Sequence, residues 1–468
     1  MTLMVALVAI VPLVRAVSVG ITSAEAVALL TAPTAQNVTT LATAGFWAFS
    51  LLLGRVRGPA LRPPFLTHAL ASSKLPRAVS FRGPLLTSGA TAVALTTMVG
   101  GLISASLVSA TRSTPSDALI FVLASICVGF ISAIAWLVGQ AMPRTAAVLA
   151  PTVFALGVIA SAIPALQPFT PWGWVGLAHP VASATGSLTP LLALTAVAVA
   201  VAPALMNRIT LTQLTSQALR WESATSYAAG LELAAATSVY QSAPTVGRHL
   251  CAVRPALRRP FTFLLRDAVG AARTPIRLVA AILALVASAT LLMLSLSAES
   301  PNWALGAVAG VILFAGLGPL TDGIRHAASV ASDLPLYGIS DEQLLAHHVL
   351  FPALTTITML VLTTVICSLL TGHAIPGVLG SLTLGILAIA ARIGSALKGP
   401  LPPALLTPIP TPLGDLGAVV RLTWALDGLL LTALAGASAV LTFQSPLLLA
   451  SVGSALTGLT IHRWRHRV

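Results

Sequence analysis

Charged residues are scarce in this chain: only 8% of its 468 residues are Asp, Glu, Lys or Arg, and 56% are hydrophobic. Soluble globular proteins carry about a quarter charged residues, so the composition excludes that class. Apolar runs of about 20 residues recur along the chain, which is the length that a helix needs to cross a bilayer. The runs lack the polar–apolar alternation of membrane barrels, so the sequence predicts an all-α polytopic membrane protein.

Residues for nucleotide, metal or redox chemistry are also missing. The chain has two lysines, Lys74 and Lys398, and neither is preceded by Gly or followed by Ser or Thr, which excludes a phosphate-binding P-loop. Its three cysteines, Cys127, Cys251 and Cys367, have neither disulfide nor metal-site spacing. We therefore predict no catalytic residue, no metal ligand and no cofactor bound by this chain.

Carboxylates are rare inside the apolar runs. Asp427, near the start of one run, comes nearest to a membrane position, and we interpret it as a snorkelling or helix-capping residue. An ion-coupled secondary transporter usually needs carboxylates at mid-membrane depth, so it is the weaker alternative. A membrane lipid or glycosyl transferase, the other alternative, would normally show acids or histidines clustered at a span end. His347 and His348 are adjacent, and adjacent residues face different sides of a helix, which disfavours a metal site.

The apolar runs predict about twelve transmembrane helices. In chain order they are Leu3–Val19, Val38–Gly54, Pro84–Ala110, Ala118–Met142, Ala146–Leu166, Val181–Leu205, Leu278–Ala298, Trp303–Leu320, Val349–Gly372, Gly377–Ala391, Leu426–Phe443 and Pro446–Ile461. With both termini inside, all Lys and Arg residues except Arg15 and Arg112 fall on or beside inside segments, which predicts cytoplasmic termini. Basic residues at span ends keep the adjoining loops in the cytoplasm, and this role accounts for the net charge of +13. Nucleic acid is therefore not an expected partner.

Two polar loops share one pattern. The first loop is residues 55–83 and the second loop is residues 321–348. Each comes after an apolar run, has a Gly-Pro pair at or just before its start (Gly58-Pro59 and Gly318-Pro319), and contains Ser-x-Leu-Pro. Residues 71–98 and 330–357 align without gaps and are identical at nine of 28 positions. The repeat predicts two parallel six-helix halves, 1–205 and 278–468, that form a pseudo-dimer. The first loop is strongly basic and the second is acidic, which suggests two related but unequal contacts with cytoplasmic partners.

The segment 206–277 is predicted to be a cytoplasmic linker. Its end alternates basic residues with Phe and Leu, a pattern typical of an amphipathic helix lying in the membrane interface. Arg266, Arg273 and Arg277 are the residues assigned to this interfacial helix; a plain solvated linker is the alternative. The Pro-rich segment 398–421 is predicted to contain no regular helix. In the Trp-rich outside segment 167–180, Trp172 and Trp174 suit the interfacial aromatic belt.

Several soft motifs point to a known class of membrane protein. They are Gly318-Pro319, Asp333-Leu334-Pro335, Leu344-Leu345, His347-His348 with Phe351-Pro352, and the Pro-rich residues 399–412. With these motifs and no nucleotide site, the chain resembles the permease subunit of an ABC exporter. More narrowly, it is similar to the double-length actinobacterial permeases of this type, in which two six-span halves are fused.

The resemblance implies a bacterial plasma-membrane protein that works with a separate ABC ATPase subunit, in two copies, which would bind ATP and Mg²⁺. It implies that the first and second loops contact this partner. The residues assigned to that coupling are Pro59, Lys74, Leu75, Pro76, Arg77, Pro319, Asp333, Leu334, Pro335, Asp341 and Glu342. The expected cargo, an amphipathic or lipid-like molecule, would pass outward between the two halves. The family's interfacial helix before the first span has no counterpart in residues 1–2.

Overall fold

Helices dominate the computed structural model. It describes residues 22, 24–182, 185–241, 244, 246–247, 249–253, 258–297, 302–331, 338–371, 374–399, 401–402, 405, 407, 410–411, 414–442 and 444–466. The first predicted span, Leu3–Val19, lies outside these residues. The sole strand pairing within them is a two-residue antiparallel contact of β1 (Pro410–Thr411) with β2 (Gly414–Asp415).

The chain divides into two compact units. One comprises the residues up to Ala228 together with Ala235–Tyr240, and the other comprises Ala229–Ala234 and the residues from Gln241 onward. The helices up to the division are α1 Ala24–Thr31, α2 Ala35–Val56, α3 Pro64–Ala71, α4 Arg77–Ser80, α5 Arg82–Ser109, α6 Pro115–Ala141, α7 Pro143–Ala162, α8 Pro171–Leu177, α9 Leu188–Arg208, α10 Leu211–Ala229 and α11 Leu233–Ser238.

The second unit continues with one amphipathic helix and a set of long apolar helices. They are α12 Arg259–Ala272, α13 Pro275–Ser297, α14 Trp303–Leu317, α15 Asp322–Ser329, α16 Asp341–Thr371, α17 Ala374–Ala396, α18 Leu416–Val440 and α19 Pro446–Arg465. The interfacial-helix prediction for the end of the linker thus coincides with α12. The prediction of no regular helix over 398–421 is wrong at its end, because Asp415 caps α18 by accepting the N–H of Gly417 at 2.9 Å.

Ten of the described helices are long and apolar enough to cross a membrane: α2, α5, α6, α7, α9, α13, α14, α16, α17 and α18. The prediction of a helical, multi-pass membrane protein is confirmed at this level. The twelfth predicted span corresponds to α19, which is not among the ten because His462, Arg463 and Arg465 occupy its last turn. Twelve spans and an internal repeat therefore stay predictions.

The helix ends follow from local sequence. Pro115 at the first position of α6 has its fixed backbone angle preset for a helix, and Thr114 caps the helix by accepting the N–H of Asp117 at 3.2 Å. Asn302 caps α14 in the same way, through the N–H of Leu305 at 3.2 Å. Each signal lies at the boundary between a polar turn and an apolar run, which is why the sequence places these spans well.

Small residues let the helices approach closely inside each unit. In the first unit α2 packs along α6 and α7, and α5 packs along α6; in the second, α14 packs along α13 and α18, and α16 along α17. Gly139 faces the backbone carbonyl of Leu51 and Gly310 faces that of Thr432, so close that a Cβ at either glycine would overlap the opposite helix. Such contacts favour association in lipid, where burial of apolar side chains gains little.

Candidate functional site

Two buried glutamines hold the root of the first loop. Gln140 accepts the N–H of Ala60 at 3.2 Å, and Gln217 accepts the N–H of Gly58 at 3.3 Å. Gln217 also donates to the carbonyl oxygen of Gly54 at 3.1 Å, and Gln140 donates to Gln217 Oε1 at 3.0 Å. Both side chains are at most 1% exposed. Neutral amides therefore satisfy the backbone at the point where the loop leaves α2.

The Gly-Pro pair of the first loop belongs to this root. A Cβ at Gly58 would overlap the side-chain amide of Gln140, so the close approach requires glycine. Pro59, one of the predicted coupling residues, is buried next to it. The structure thus buries Pro59 at the root of the first loop and not at its exposed tip.

The tip of the first loop is exposed. Phe65 on α3 is 81% exposed and Leu75 is 56% exposed. Lys74 and Pro76 are also exposed, and Arg77 at the start of α4 is half-buried. The first Ser-x-Leu-Pro motif therefore forms a projecting surface that is both apolar and basic.

The second loop is described in part. Pro319 is half-buried in a 3₁₀ turn, Gly318–Leu320, and Asp341 and Glu342 lie in the first turn of α16. Three predicted coupling residues lie outside the described residues: Asp333, Leu334 and Pro335. The second Ser-x-Leu-Pro motif can therefore not be compared with the first.

Asp322, at the start of α15, joins two arginines. Its carboxylate oxygens accept from Arg277 at 3.2 Å and from Arg325 at 2.6 Å. Arg325 donates in addition to the carbonyl oxygen of Gly318 at 3.1 Å. The Asp322 side chain is 48% exposed, and exposed pairs of this kind contribute less than about 1 kcal/mol each. They align α15 with the start of α13 without adding much stability.

A buried pair, Asp267 on α12 and His348 on α16, lies beside this network. His348 is fully buried, and its Nδ1–H donates to Asp267 Oδ2 at 2.7 Å. Arg266 Nη1 lies 3.4 Å from His348 Nε2, which can accept from it. The imidazole thus fits a tautomer with its proton on Nδ1. A Cβ at Gly323 of α15 would overlap the Asp267 carboxylate, so three elements meet at this pair.

Aromatic rings close the site around the pair. Phe263 of α12 stacks on His347 with ring centroids 5.3 Å apart and meets His348 edge-on at 5.0 Å. His326 of α15 lies 6.2 Å from His348. Burial, followed by the positive charge of Arg266, lowers the pKa of His326, and Asp267 opposes this effect.

All three predicted interfacial arginines make contacts within the second unit. Arg266 approaches His348, Arg277 pairs with Asp322, and Arg273 donates to the carbonyl oxygen of Leu250 at 2.9 Å. The pair of Asp267 with His348 was missed because 81 residues separate its members. The one available signal was a single acid within an otherwise basic amphipathic helix.

A second ionic cluster surrounds Asp427 in the middle of α18. Its carboxylate accepts from Lys398 at 3.0 Å and pairs with Arg463 of α19. Lys398 lies 3.8 Å from the ring centroid of Trp424, and burial lowers its pKa while Asp427 opposes the shift. The capping interpretation of Asp427 is wrong, because Asp415 caps this helix. The carboxylate instead joins two cations from other parts of the unit.

The Trp-rich segment of the first unit is part of a core. Trp172 is 7% exposed and meets Trp47 edge-on, with ring centroids 6.5 Å apart, so its assignment to an interfacial belt is wrong. Nearby, His179 is 2% exposed and lies edge-on to Phe121 at 5.4 Å. Burial lowers the pKa of His179 to about 4, so the imidazole is neutral at physiological pH.

Comparison with known proteins identifies no relative: no family model, no curated protein and no solved structure matches this chain. Among the described residues, no three His, Cys, Asp or Glu side chains are grouped closely enough to share a metal ion. The two polar loops and the contacts that hold them are therefore the candidate functional site.

Proposed function

We propose that this chain is the membrane-spanning subunit of an ATP-driven ABC exporter and that a separate ATPase subunit drives it through the first and second loops. The observation that carries the proposal is the exposed tip of the first loop, which stands on a root fixed by Gln140 and Gln217. A partner can bind the exposed tip, and the fixed root would transmit its movement to α2 and α6. The sequence supports a separate ATPase because it contains no P-loop.

The second loop supports the same role, although different contacts hold it. Asp322 joins α15 to Arg277 at the start of α13, and the Asp267–His348 pair joins the amphipathic helix α12 to α16. A partner that displaces α12 or α15 would therefore act on two candidate spans at once. Such coupling needs two arrangements of the loop that nucleotide binding biases.

The proposal extends to cargo and membrane. The exposed large side chains of α2 and α7 include Val38, Phe49 and Phe154. Such an apolar surface suits an amphipathic or lipid-like cargo that passes between the two halves. The plasma membrane, cytoplasmic termini and two parallel six-helix halves belong to the same proposal. One observation supports the repeat: the candidate span directly before each loop, α2 or α14, packs along the third candidate span after that loop, α7 or α18.

Replacement of the loop tips tests the proposal. Leu75→Ala with Pro76→Ala, and Leu334→Ala with Pro335→Ala, should each lower ATP-driven uptake of cargo into inverted vesicles, which corresponds to export from the cell, and should reduce recovery of the ATPase subunit with the tagged chain. Phe169→Ala is the matched control, because this 80% exposed side chain lies on a segment predicted to face the opposite side. Export and partner recovery that survive both double replacements would refute the coupling role. Export driven by an ion gradient without ATP would favour a secondary transporter, and product formation would favour a transferase.

A further inference from the structure

The described ion pairs are distributed unevenly between the two units. The five pairs between charged side chains and the hydrogen-bonded pair of Asp267 with His348 all lie in the second unit, and none involves the first. The first loop nevertheless carries six basic residues, Arg55, Arg57, Arg62, Lys74, Arg77 and Arg82, and no acid. Its positive charge is therefore uncompensated within the described part of the unit, and this leaves it available for an anionic ligand.

A small cavity lies at the root of this loop. Its volume is about 160 Å³, and it is lined by Arg57, Gly58, Pro59, Leu61, Pro84, Thr87, Ser88 and Trp221. Sites for whole small molecules usually measure about 300–1,000 Å³. The cavity therefore has room only for a small polar group, such as the head group of a lipid. It combines one cation and two hydroxyl side chains with an apolar wall, and its lining contains no carboxylate.

Arg57 is presented to the cavity in an ordered way. Its guanidinium lies over the ring of Trp221, 5.2 Å from the centroid, and its backbone carbonyl accepts from Trp136 Nε1. This cation–π contact keeps the guanidinium beside the ring, and no described residue accepts a hydrogen bond from its N–H groups, which leaves them available to a ligand. A planar fork of N–H donors matches the oxygens of a phosphate group.

A second cation flanks the cavity. Arg62 Nη2 lies 3.3 Å from the position that a Cβ of Gly83 would occupy, next to the lining residue Pro84. Its Nε is buried and has no hydrogen-bond partner within the described part of the chain. Glu222, which follows Trp221, is exposed and does not line the cavity. The local charge therefore favours an anion.

The cavity lies between the end of α2 and the start of α5, which are both candidate spans. The ends of membrane-spanning helices lie at the depth of the lipid phosphates. We propose that this cavity binds a phosphate ester, with Arg57 as its principal ligand and Arg62, Thr87 and Ser88 around it. The head group of an anionic lipid and a soluble phosphate ester share this chemistry. The inference does not depend on the presence of an ATPase partner.

Native mass spectrometry of the full chain in neutral detergent tests the proposal. The probes are dioleoylphosphatidylglycerol, dioleoylphosphatidylcholine, glycerol 3-phosphate and inorganic phosphate. We expect saturable binding of phosphatidylglycerol that Arg57→Gln weakens about tenfold or more, because a charge-assisted hydrogen bond is lost. Arg144→Gln, at another exposed arginine in the first turn of α7, should bind like the wild type. Arg57 is exposed, so its replacement should leave the fold intact, which size-exclusion elution checks.

Thr87→Val repeats the test without a change of charge. The Thr87 hydroxyl donates to the carbonyl oxygen of Pro84 at 3.0 Å and has to turn from it to the ligand, so we expect the variant to bind only about threefold more weakly. If glycerol 3-phosphate or inorganic phosphate shows the same dependence on Arg57 and the lipid adds nothing, the site stands and its ligand is soluble. Equal losses in Arg57→Gln and Arg144→Gln would overturn the proposal, because they would show unspecific attraction to charge. Absence of saturable binding for all probes would overturn it as well.

Discussion

The two loops are fixed by different kinds of contact. Neutral amide hydrogen bonds of Gln140 and Gln217 hold the root of the first loop, whereas ion pairs and a histidine–carboxylate pair hold the second. Hydrogen bonds between neutral groups respond little to salt and pH, and ion pairs respond to both. Loops that share a sequence pattern can therefore differ in how firmly, and under which conditions, they transmit movement.

The largest effect is expected from the buried pair of the second unit. Asp267→Ala leaves the fully buried Nδ1–H of His348 without its carboxylate acceptor and should lower the free energy of unfolding by about 3 kcal/mol. Unfolding by a denaturing detergent in mixed micelles measures this change. If Asp267→Ala costs no more than replacement of the exposed Asp322, the buried pair is not what fixes the second loop.

The first unit should respond to acid through His179. Its pKa is about 4 in the folded chain and 6.5 when unfolded, so unfolding takes up a proton between these values. Stability contributed by the neutral imidazole is complete above pH 6.5 and is lost as the pH falls towards 4, by up to about 3 kcal/mol. The measurement is the unfolding free energy of wild type and His179→Gln across this range. A variant that loses as much stability on acidification as the wild type would assign the effect to other groups.

Replacement of Gln217 tests the neutral contacts of the first loop. Gln217→Leu leaves the N–H of Gly58 and the carbonyl of Gly54 without partners and should cost about 2 kcal/mol. The cost should be equal at about 0.05 M and about 0.5 M NaCl, because no ion pair is involved. Ser216→Ala, at an exposed neighbour on α10, is the control. A cost that shrinks at high salt would mean that charge contributes to the root.

The smallest effect is expected at the exposed network of the second loop. Asp322→Ala should cost about 0.5 kcal/mol in dilute buffer and nothing measurable at about 0.5 M NaCl, because solvent and salt screen exposed pairs. Comparison with Gln217→Leu at both salt concentrations shows whether the two loops differ as described. A larger, salt-independent loss would indicate that Asp322 is held as firmly as the root of the first loop.

Local signals were enough to predict most of the helices. The Thr-Pro start of α6 and the Arg-rich amphipathic pattern of α12 are written in adjacent residues. The start of α18 was missed because the Pro-rich segment was extended to residue 421. The six residues after Asp415 contain no proline and are free to form a helix. Contacts between distant segments could not be predicted: nothing near Gln217 or Asp267 in sequence indicates Gly58 or His348 as its partner. Burial could not be predicted for Trp172 either, because a Trp-rich segment is also typical of the membrane interface.

The most direct test is ATP hydrolysis by the complex that a tagged wild-type chain recovers from its native membranes. We expect a separate ATPase subunit to copurify in about two copies per chain, and we expect the complex to hydrolyse ATP while the chain produced alone does not. The leucine–proline replacements at the first loop should remove the hydrolysing subunit, and Phe169→Ala should retain it. A native complex that exports its cargo with no hydrolysing subunit would contradict the account.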